Sequence, residues 1–156
     1  EAVEPLLPHL PEGFKFAEPC AGDGALIKHL ETKGLCMWAS DIEPQAEGIH
    51  SSPYDMLGFD ELIESDYIIT NPPWDRKILH PMIDFFAPKR STWLLFDADW
   101  MHTKQSREYM WLCRKIVSVG RIKWFGNMTG KDNCAWYLFK EEFAWNAKPP
   151  EFIGRM

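Results

Sequence analysis

The chain has 156 residues, 46% of them hydrophobic and 14% aromatic, which is enough to bury the core of a single domain. Its formal net charge of −6 argues against a protein that coats nucleic acid through overall positive charge. No apolar run approaches the roughly 20 residues of a membrane span. The first residues, Glu1–Pro5, lack the basic and apolar segments of an export signal, so we expect a cytoplasmic protein with no membrane partner. Four cysteines lie far apart and indicate reduced thiols rather than disulfides or zinc ligands: Cys20, Cys36, Cys113 and Cys134.

Charge is divided unevenly between the two halves of the chain. Residues 1–75 contain three Lys/Arg against fifteen Asp/Glu, whereas residues 76–156 contain fourteen against eight. This division predicts one face for a cationic or neutral ligand and another for phosphate, although ordinary solvated surface is the alternative. The basic half has no dense block of Lys or Arg, so we expect any nucleic-acid binding to be modest and salt-sensitive.

Strand-like and helix-like patterns alternate along the first two thirds of the chain. The predicted strands are Phe14–Ala17, Leu35–Ser40, Ile49–Ser51, Tyr67–Thr70 and Thr92–Phe96. The predicted helices are Ala25–Lys33, Ile78–Phe86 and Ser106–Cys113, and Phe59–Ile63 forms a further short segment. Pro81 is compatible with the second of these helices if it lies in the first turn.

The C-terminal part departs from this alternation. Ile116–Phe125 and Ala135–Lys140 are both strand-like, and the turn-rich loop Gly126–Asn133 between them leaves no room for a helix. The two strands must therefore be antiparallel neighbours. The sequence predicts an α/β, Rossmann-like doubly wound sheet, mostly parallel and closed by an antiparallel C-terminal β-hairpin. We expect residues 1–156 to form a single catalytic domain without a separate target-recognition domain.

Polar residues follow several of the predicted strands at the point where each strand ends. They are Glu18, Asp41, Asp55 and Asn71. Ligands of doubly wound sheets bind outside the carboxyl ends of the strands. We therefore expect these four side chains to surround one binding site.

The first strand is followed by a glycine-containing turn that leads into the first helix. Gly22 and Gly24 allow a ligand to approach the backbone closely. The turn lacks the Gly-Lys-Ser/Thr of a phosphate-binding loop, and Glu18 and Asp23 would repel phosphate. The turn therefore favours a positively charged ligand, such as a sulfonium or an α-amino group, although a simple structural turn is the alternative.

Two acidic residues extend this site. Asp41 follows the second strand, about twenty residues after the glycine turn, where a carboxylate can accept two hydrogen bonds from a ribose diol. Asp55 follows the third strand and could accept a hydrogen bond from an adenine amino group. A helix cap or a surface turn is the alternative role for either residue.

The segment Asn71–Trp74, Asn-Pro-Pro-Trp, directly follows an apolar strand. It brings a side-chain amide, a carbonyl with no N–H after it, and a large aromatic face to one point. Those groups can hold a planar –NH2 group by its hydrogens while stacking on the ring that carries it. The alternative is that the prolines only end the strand and Trp74 packs in the core.

In their order and spacing, Glu18–Gly24, Asp41, Asp55 and Asn71–Trp74 resemble the class I S-adenosylmethionine-dependent methyltransferases. The tetrapeptide is similar to that of the amino-methylating branch, typified by DNA adenine-N6 methyltransferases. The resemblance implies S-adenosyl-L-methionine as cofactor, no metal, and methylation of adenine N6 in DNA. It also implies a nucleic-acid substrate, DNA over RNA. Because little sequence separates Trp74 from the closing hairpin, either the recognised sequence is short or relaxed, a partner protein supplies specificity, or the substrate is not duplex DNA.

The same resemblance implies a role for individual residues. The catalytic residues would be Asn71, Pro72 and Trp74. The cofactor would be bound by Glu18, Ala21, Gly22, Gly24, Asp41, Ile42, Asp55 and Asn71. The substrate would be bound by Pro73, Trp74, Arg76 and Lys77. Asp75 is a candidate acceptor for the proton lost after transfer. The approach of a flipped-out base could be lined by Arg76, Lys77, Trp100, His102, Lys104, Lys123 and the Gly126–Asn133 loop. An ordinary surface or core position is the alternative for each of these residues.

Other functions remain open from the sequence. A protein-glutamine methyltransferase would present a planar amide to the same two acceptors, and adenine N6 in structured RNA is a third substrate. A non-catalytic cofactor-binding subunit would have no chemical need for an intact Asn71–Trp74. A dinucleotide-dependent oxidoreductase is disfavoured because Glu18 and Asp23 oppose a pyrophosphate.

Overall fold

The computed structural model describes residues 1–56, 62, 64–125, 128–129, 132–142 and 148–155. Eight strands form the main sheet: β1 (Lys15–Glu18), β2 (Leu35–Asp41), β3 (His50–Ser51), β4 (Tyr67–Thr70), β5 (Ser91–Asp97), β6 (Cys113–Gly120), β9 (Cys134–Phe139) and β10 (Glu151–Ile153). A separate two-stranded sheet contains β7 (Lys123–Phe125) and β8 (Met128–Thr129). The α-helices are α1 (Ala25–Leu30) and α2 (Arg76–Phe86), and short 3-10 helices span Leu7–His9, Tyr54–Met56, Ala98–His102 and Lys104–Glu108. Within these ranges no helix has the length and apolarity to cross a bilayer.

The main sheet has the strand order β10-β6-β9-β5-β4-β1-β2-β3. The five strands from β3 to β5 run parallel, and β9 is antiparallel to both of its neighbours, β5 and β6. This mixed sheet confirms the predicted Rossmann-like α/β fold. We call the side of the sheet where β1, β2, β4, β5, β6 and β10 end the carboxyl edge, and the side where they begin the amino edge.

Apolar side chains cover both faces of the sheet. Adjacent residues Ile68 and Ile69 of β4 are both fully buried, and they belong to two different hydrophobic clusters. Successive side chains of a strand point to opposite faces, which explains why this strand is apolar throughout. On one face α2 buries a row of side chains: Leu79, Met82, Ile83 and Phe86. The other face is covered by α1 and by the N-terminal segment that includes Leu6 and Leu10.

The predicted helix Ser106–Cys113 is wrong. The structure contains only the 3-10 helix Lys104–Glu108 and turns before Cys113 opens β6. The Ser106 hydroxyl donates to the Met101 and Thr103 carbonyls at 3.1 and 2.8 Å, and the Thr103 hydroxyl accepts from the Ser106 N–H at 3.3 Å. Such local side-chain bonds offer the backbone an alternative to a continuous α-helix.

The antiparallel pairing of the C-terminal strands is confirmed, but their predicted bounds are not. Val117 of β6 lies opposite Trp136 of β9, as a hairpin-like pair requires. The single strand Ile116–Phe125 is wrong, because β6 ends at Gly120 with φ of 84° and the chain then enters the small β7–β8 sheet. The edge strand β10, parallel to β6, was not predicted from the sequence.

The two predicted helices beside the site occur with altered ends. Helix α1 ends at Leu30 rather than Lys33, and α2 begins at Arg76 rather than Ile78. Pro81 therefore lies inside α2 and not in its first turn. Of the predicted segment Phe59–Ile63, only Leu62 falls within the described residues.

Candidate active site

The glycine turn after β1 is fastened to the end of β2 by Asp41. The Gly22 N–H donates to Asp41 Oδ2 at 2.8 Å, and the Glu43 N–H donates to Asp41 Oδ1 at 2.9 Å. Both turn glycines, Gly22 and Gly24, have positive φ values, of 53° and 76°, a conformation that side chains with a Cβ rarely adopt. A carboxylate has about four acceptor positions, so each oxygen of the half-buried Asp41 can still accept a further hydrogen bond.

A cavity of about 570 Å³ opens beside this turn at the carboxyl edge. It is lined by Pro19, Cys20, Asp41, Ile42, Pro53, Tyr54, Asp55, Asn71, Pro72, Pro73, Ile78 and Met82. Three predicted cofactor residues, Asp41, Ile42 and Asp55, therefore share one cleft with the predicted Asn71–Pro73 segment. Its lining is mostly apolar with a few convergent polar groups, which is typical of small-molecule sites.

Several cavity residues were not singled out from the sequence. Pro19 and Cys20 belong to the glycine turn, and Tyr54 directly precedes Asp55. Ile78 and Met82 are four residues apart on α2, a spacing that places two side chains on one helix face. A helix predicted directly after Asn71–Trp74 could have suggested that its exposed apolar residue Ile78 contributes to the site.

The Asn71–Trp74 segment continues directly from the end of β4. Asn71 is half-buried, Pro72 is buried and Pro73 is exposed at the cavity wall. The Trp74 indole N–H donates to the Leu95 carbonyl at 3.2 Å and is 3.4 Å from Asn71 Oδ1. The Asn71 oxygen retains a second lone pair, so it can still accept from a group in the cavity.

Trp74 is placed differently from the other residues of its segment. It is half-buried against both hydrophobic clusters, and it is not among the residues that line the cavity. Its indole N–H is directed to the backbone of β5 and to Asn71. The predicted stacking of a base on Trp74 stays a prediction, and the geometry adds a second role in holding the Asn71 amide.

Glu18 lies behind the cavity rather than on its surface. Its side chain is 1% exposed, the Thr70 hydroxyl donates to its Oε1 at 3.4 Å, and Oε2 has no partner among the described residues. Burial raises the pKa of Glu18 well above 4.5, and the nearby Asp41 and Asp23 raise it further. Burial likewise raises the pKa of Cys20 to about 12, so this cavity residue is a thiol rather than a thiolate.

The remaining predicted site residues occupy three kinds of position. Ala21 is buried and its N–H donates to the Ser40 carbonyl at 2.9 Å, so it supports the turn beside the cavity. Ile42 is 72% exposed at the rim. Arg76 bonds to the side chain of Gln105, and Lys77 is exposed near the start of α2.

The predicted approach for a base is only partly supported by the exposed surface. His102, Lys104 and Lys123 are exposed, and part of the Gly126–Asn133 loop lies outside the described residues. The expectation for Trp100 is wrong. This residue is 1% exposed, and its indole N–H donates to His80 Nε2 at 3.0 Å within the core. A large aromatic next to polar residues in the sequence fits a core anchor as well as a binding surface.

No protein-family model and no curated protein sequence matches the chain. Many solved structures resemble it, among them the following three at 11–13% identity. The E. cuniculi Mtq2–Trm112 complex, responsible for methylation of the eRF1 translation termination factor, aligns over 90% of this chain and 93% of its own with a TM-score of 0.59. For the 23S rRNA methyltransferase ErmE the shares are 93% and 66% with a TM-score of 0.58. For a Listeria monocytogenes protein assigned to the class I S-adenosylmethionine-dependent methyltransferases they are 98% and 59%, with a TM-score of 0.53. The chain therefore has the fold of the class I methyltransferases.

Proposed function

We propose that this protein transfers a methyl group from S-adenosyl-L-methionine to an exocyclic amino nitrogen, with adenine N6 in DNA as the substrate. One observation carries the proposal. Asp41 and Asp55 line the same cavity as Asn71, Pro72 and Pro73. This is the arrangement that a cationic methyl donor and a planar amine would need in order to meet.

The residues present fit the cofactor. The cavity volume of about 570 Å³ lies within the usual range for sites of small molecules and cofactors, about 300–1,000 Å³. Asp41 keeps acceptor positions for a ribose diol, and Ile42 and Tyr54 offer apolar surface for a base. Neither Asp41 nor Asp55 forms an ion pair with any described residue, so the cavity favours a positively charged ligand. When bound, S-adenosylmethionine supplies a methyl group that its sulfonium has already activated.

The Asn71–Pro73 segment supplies what the amine lacks. The lone pair of an aromatic amine is delocalised into its ring, which makes the nitrogen a weak nucleophile. Asn71 Oδ1 and the Pro72 carbonyl would accept hydrogen bonds from the two N–H groups of this amine. These hydrogen bonds favour a pyramidal nitrogen and stabilise the positive charge that develops on it. Pro73 has a fixed φ, which stiffens the turn that carries the Pro72 carbonyl.

Loss of a proton completes the transfer. Asp75 stays the candidate acceptor, because it is exposed and directly follows the catalytic segment. Its Oδ1 caps α2 by accepting the Lys77 N–H at 2.9 Å, which leaves Oδ2 available. Transfer to solvent is the alternative route.

The choice of DNA adenine rests on the tetrapeptide and on charge. Trp74 is half-buried, its indole nitrogen lies 3.4 Å from Asn71 Oδ1, and stacking of a base on an aromatic ring is worth about 1–3 kcal/mol. The half of the chain that follows contains fourteen Lys/Arg against eight Asp/Glu, which suits a phosphate backbone.

Protein glutamine is the second candidate substrate. A glutamine side-chain amide has the same planar –NH2 group and would use the same acceptors in Asn71 and Pro72. The similarity to the Mtq2–Trm112 complex, which is responsible for methylation of a translation termination factor, supports this alternative. RNA as the substrate is supported by the similarity to ErmE, a 23S rRNA methyltransferase.

One assay separates these substrates. The protein is incubated with tritiated S-adenosylmethionine and, in parallel, with unmethylated DNA, total RNA and a Gly-Gly-Gln peptide. The proposal predicts label in DNA that is recovered as N6-methyl-2′-deoxyadenosine after digestion to nucleosides. Label confined to peptide or RNA would replace the substrate by that alternative. Measurable cofactor binding without label in any of the three would instead indicate a non-catalytic subunit.

A further inference from the structure

Among the described residues, the Lys and Arg side chains on and near β6 form ion pairs at one edge of the sheet and not at the other. At the amino edge they are paired with carboxylates. Arg114 Nε is 3.3 Å from Glu142, and Lys140 Nζ is 3.8 Å from the same residue. Lys115 Nζ is 2.9 Å from Glu151. These cations are neutralised within the protein itself.

At the carboxyl edge the corresponding cations are not neutralised. Arg121, Lys123 and Arg155 are exposed, and none of them forms an ion pair with any residue that the structure describes. Arg155 extends from the end of β10 over Gly120, because a Cβ built on Gly120 would lie 2.8 Å from its Nη1. Arg121 directly follows Gly120, so both arginines lie where β6 ends.

These two arginines line a second cavity, of about 370 Å³, which shares no residue with the proposed active site. Ser118 and His9 add polar groups to the walls, and Glu1 and Glu4 lie at the rim. Neither carboxylate pairs with a guanidinium, so the two arginines retain their charge for a ligand. The two acids reduce the positive potential, so removal of one of them should strengthen the binding of an anionic ligand.

The distance to the active site follows from the strand order. Three inter-strand steps separate β4, which carries Asn71, from β6, and four separate it from β10. At about 4.8 Å a step, Arg121 and Arg155 lie roughly 14–19 Å along the same edge from the amine-binding segment. At 3.4 Å per nucleotide, this spans about four to six base pairs of a duplex.

We infer that Arg121, Arg155 and Lys123 bind the phosphodiester backbone of the nucleic acid whose target base enters the cavity beside Asn71. The inference rests on the proposed function. Guanidinium groups bind phosphate oxygens through paired, charge-assisted hydrogen bonds. Position along the edge favours a long polyanion that reaches both sites over an acidic protein that contacts only one.

The test is binding of a fluorescein-labelled 24-base-pair DNA duplex, and of its RNA counterpart, measured by fluorescence anisotropy at several salt concentrations. Arg121→Gln/Arg155→Gln is compared with Lys115→Gln/Lys140→Gln, which removes the same charge from the amino edge. We expect the first variant to bind about tenfold more weakly at 0.05 M salt, with a salt slope shallower by about two. The second variant should bind like the unmodified protein. Glu4→Gln should bind more tightly.

Three results would overturn the inference: equal losses for the two double variants, an unchanged salt slope, or no binding of either duplex by the unmodified protein. Circular dichroism of each variant ensures that a loss does not reflect unfolding. The outcome is separable from that of the proposed function. Loss of duplex binding in the arginine variant without any methyl transfer by the unmodified protein would support the surface and contradict the function. Methyl transfer to DNA with unaltered binding would do the reverse.

Discussion

The carboxyl edge of the sheet carries two regions of opposite charge. Around β1, β2 and β3, Asp41 and Asp55 line a cavity without pairing with any described cation, and Glu18 is buried behind it. Around β6 and β10, Arg121 and Arg155 are equally unpaired. Asn71 on β4 lies between the two regions. The acidic and basic halves of the chain thus lie at different positions along one edge of the sheet, because the strand order places β1–β4 on one side and β5, β6, β9 and β10 on the other.

Among substitutions in the acidic region, replacement of Asp41 should weaken cofactor binding the most. Asp41→Ala removes the acceptor of the Gly22 and Glu43 N–H groups and the predicted partner of the ribose. Because one charged hydrogen bond is worth about 1.5–3 kcal/mol, we expect roughly 30-fold weaker cofactor binding, measured by calorimetry with S-adenosylmethionine. Duplex binding should be unchanged, which is the reverse of the arginine variant.

Asp66→Ala is the matched control. Asp66 Oδ2 also accepts a backbone N–H, from Lys15 at 2.9 Å, but at the amino edge. It should lose stability without losing cofactor affinity. Equal losses of affinity in the two variants would show that Asp41 acts only through folding.

The buried carboxyl of Glu18 should make stability depend on pH. Burial raises its pKa above 4.5, so the folded protein holds a proton that the unfolded chain releases. The folded state is therefore favoured at low pH and loses stability as pH rises above 4.5 toward the raised pKa. Glu18→Gln mimics the protonated form and does not titrate. Its stability relative to the unmodified protein should increase over this window.

Urea unfolding between pH 4 and 8 measures this difference. The exposed Glu64, changed to Gln, is the control and should show no such trend. A pH-independent difference between Glu18→Gln and the unmodified protein would mean that the carboxyl is ionised in the fold.

Trp74→Phe should give the smallest effect and separates the two roles of this side chain. Loss of the indole N–H removes the bonds to Leu95 and Asn71, at a cost of about 1 kcal/mol in the free energy of unfolding. The ring remains available, so nucleic-acid affinity should persist in Trp74→Phe and fall in Trp74→Ala. Equal affinity in both variants would exclude base stacking.

Much of the fold could be predicted because each local pattern agreed with its place in the sheet. The wholly apolar segment Tyr67–Thr70 is a central strand with the predicted bounds. The antiparallel neighbours near the C-terminus followed from a connection too short and too rich in turn residues for a helix. These features depend on periodicity and spacing, which sequence expresses directly.

The errors occur where tertiary contacts or local side-chain bonds override propensity. Ser106 and Thr103 bind nearby carbonyls and amides and so replace an α-helix by a 3-10 turn. The three-residue strand β10 is too short to show an alternation of apolar and polar residues, and it forms by pairing with β6, which is distant in the sequence. Trp100 belongs to the core because His80, twenty residues away, accepts its N–H.

The sequence predicted most residues of the candidate site, but not which of them line the cavity and which are buried behind it. Asp41, Ile42, Asp55 and Asn71–Pro73 line one cavity, as their positions after parallel strands indicated. Burial of Glu18 behind that cavity could not be predicted, because it depends on the packing of β1 against β4.

The central claim is that Asn71 Oδ1 and the Pro72 carbonyl accept hydrogen bonds from the two N–H groups of the substrate amine. Its most direct test is single-turnover methyl transfer from bound S-adenosylmethionine by Asn71→Ala, with Asn71→Asp as the variant that keeps an acceptor oxygen. We predict cofactor affinity within twofold of the unmodified protein and methyl transfer slower by about 10²–10³, with a smaller loss for Asn71→Asp. Transfer by Asn71→Ala at the unmodified rate would contradict the account.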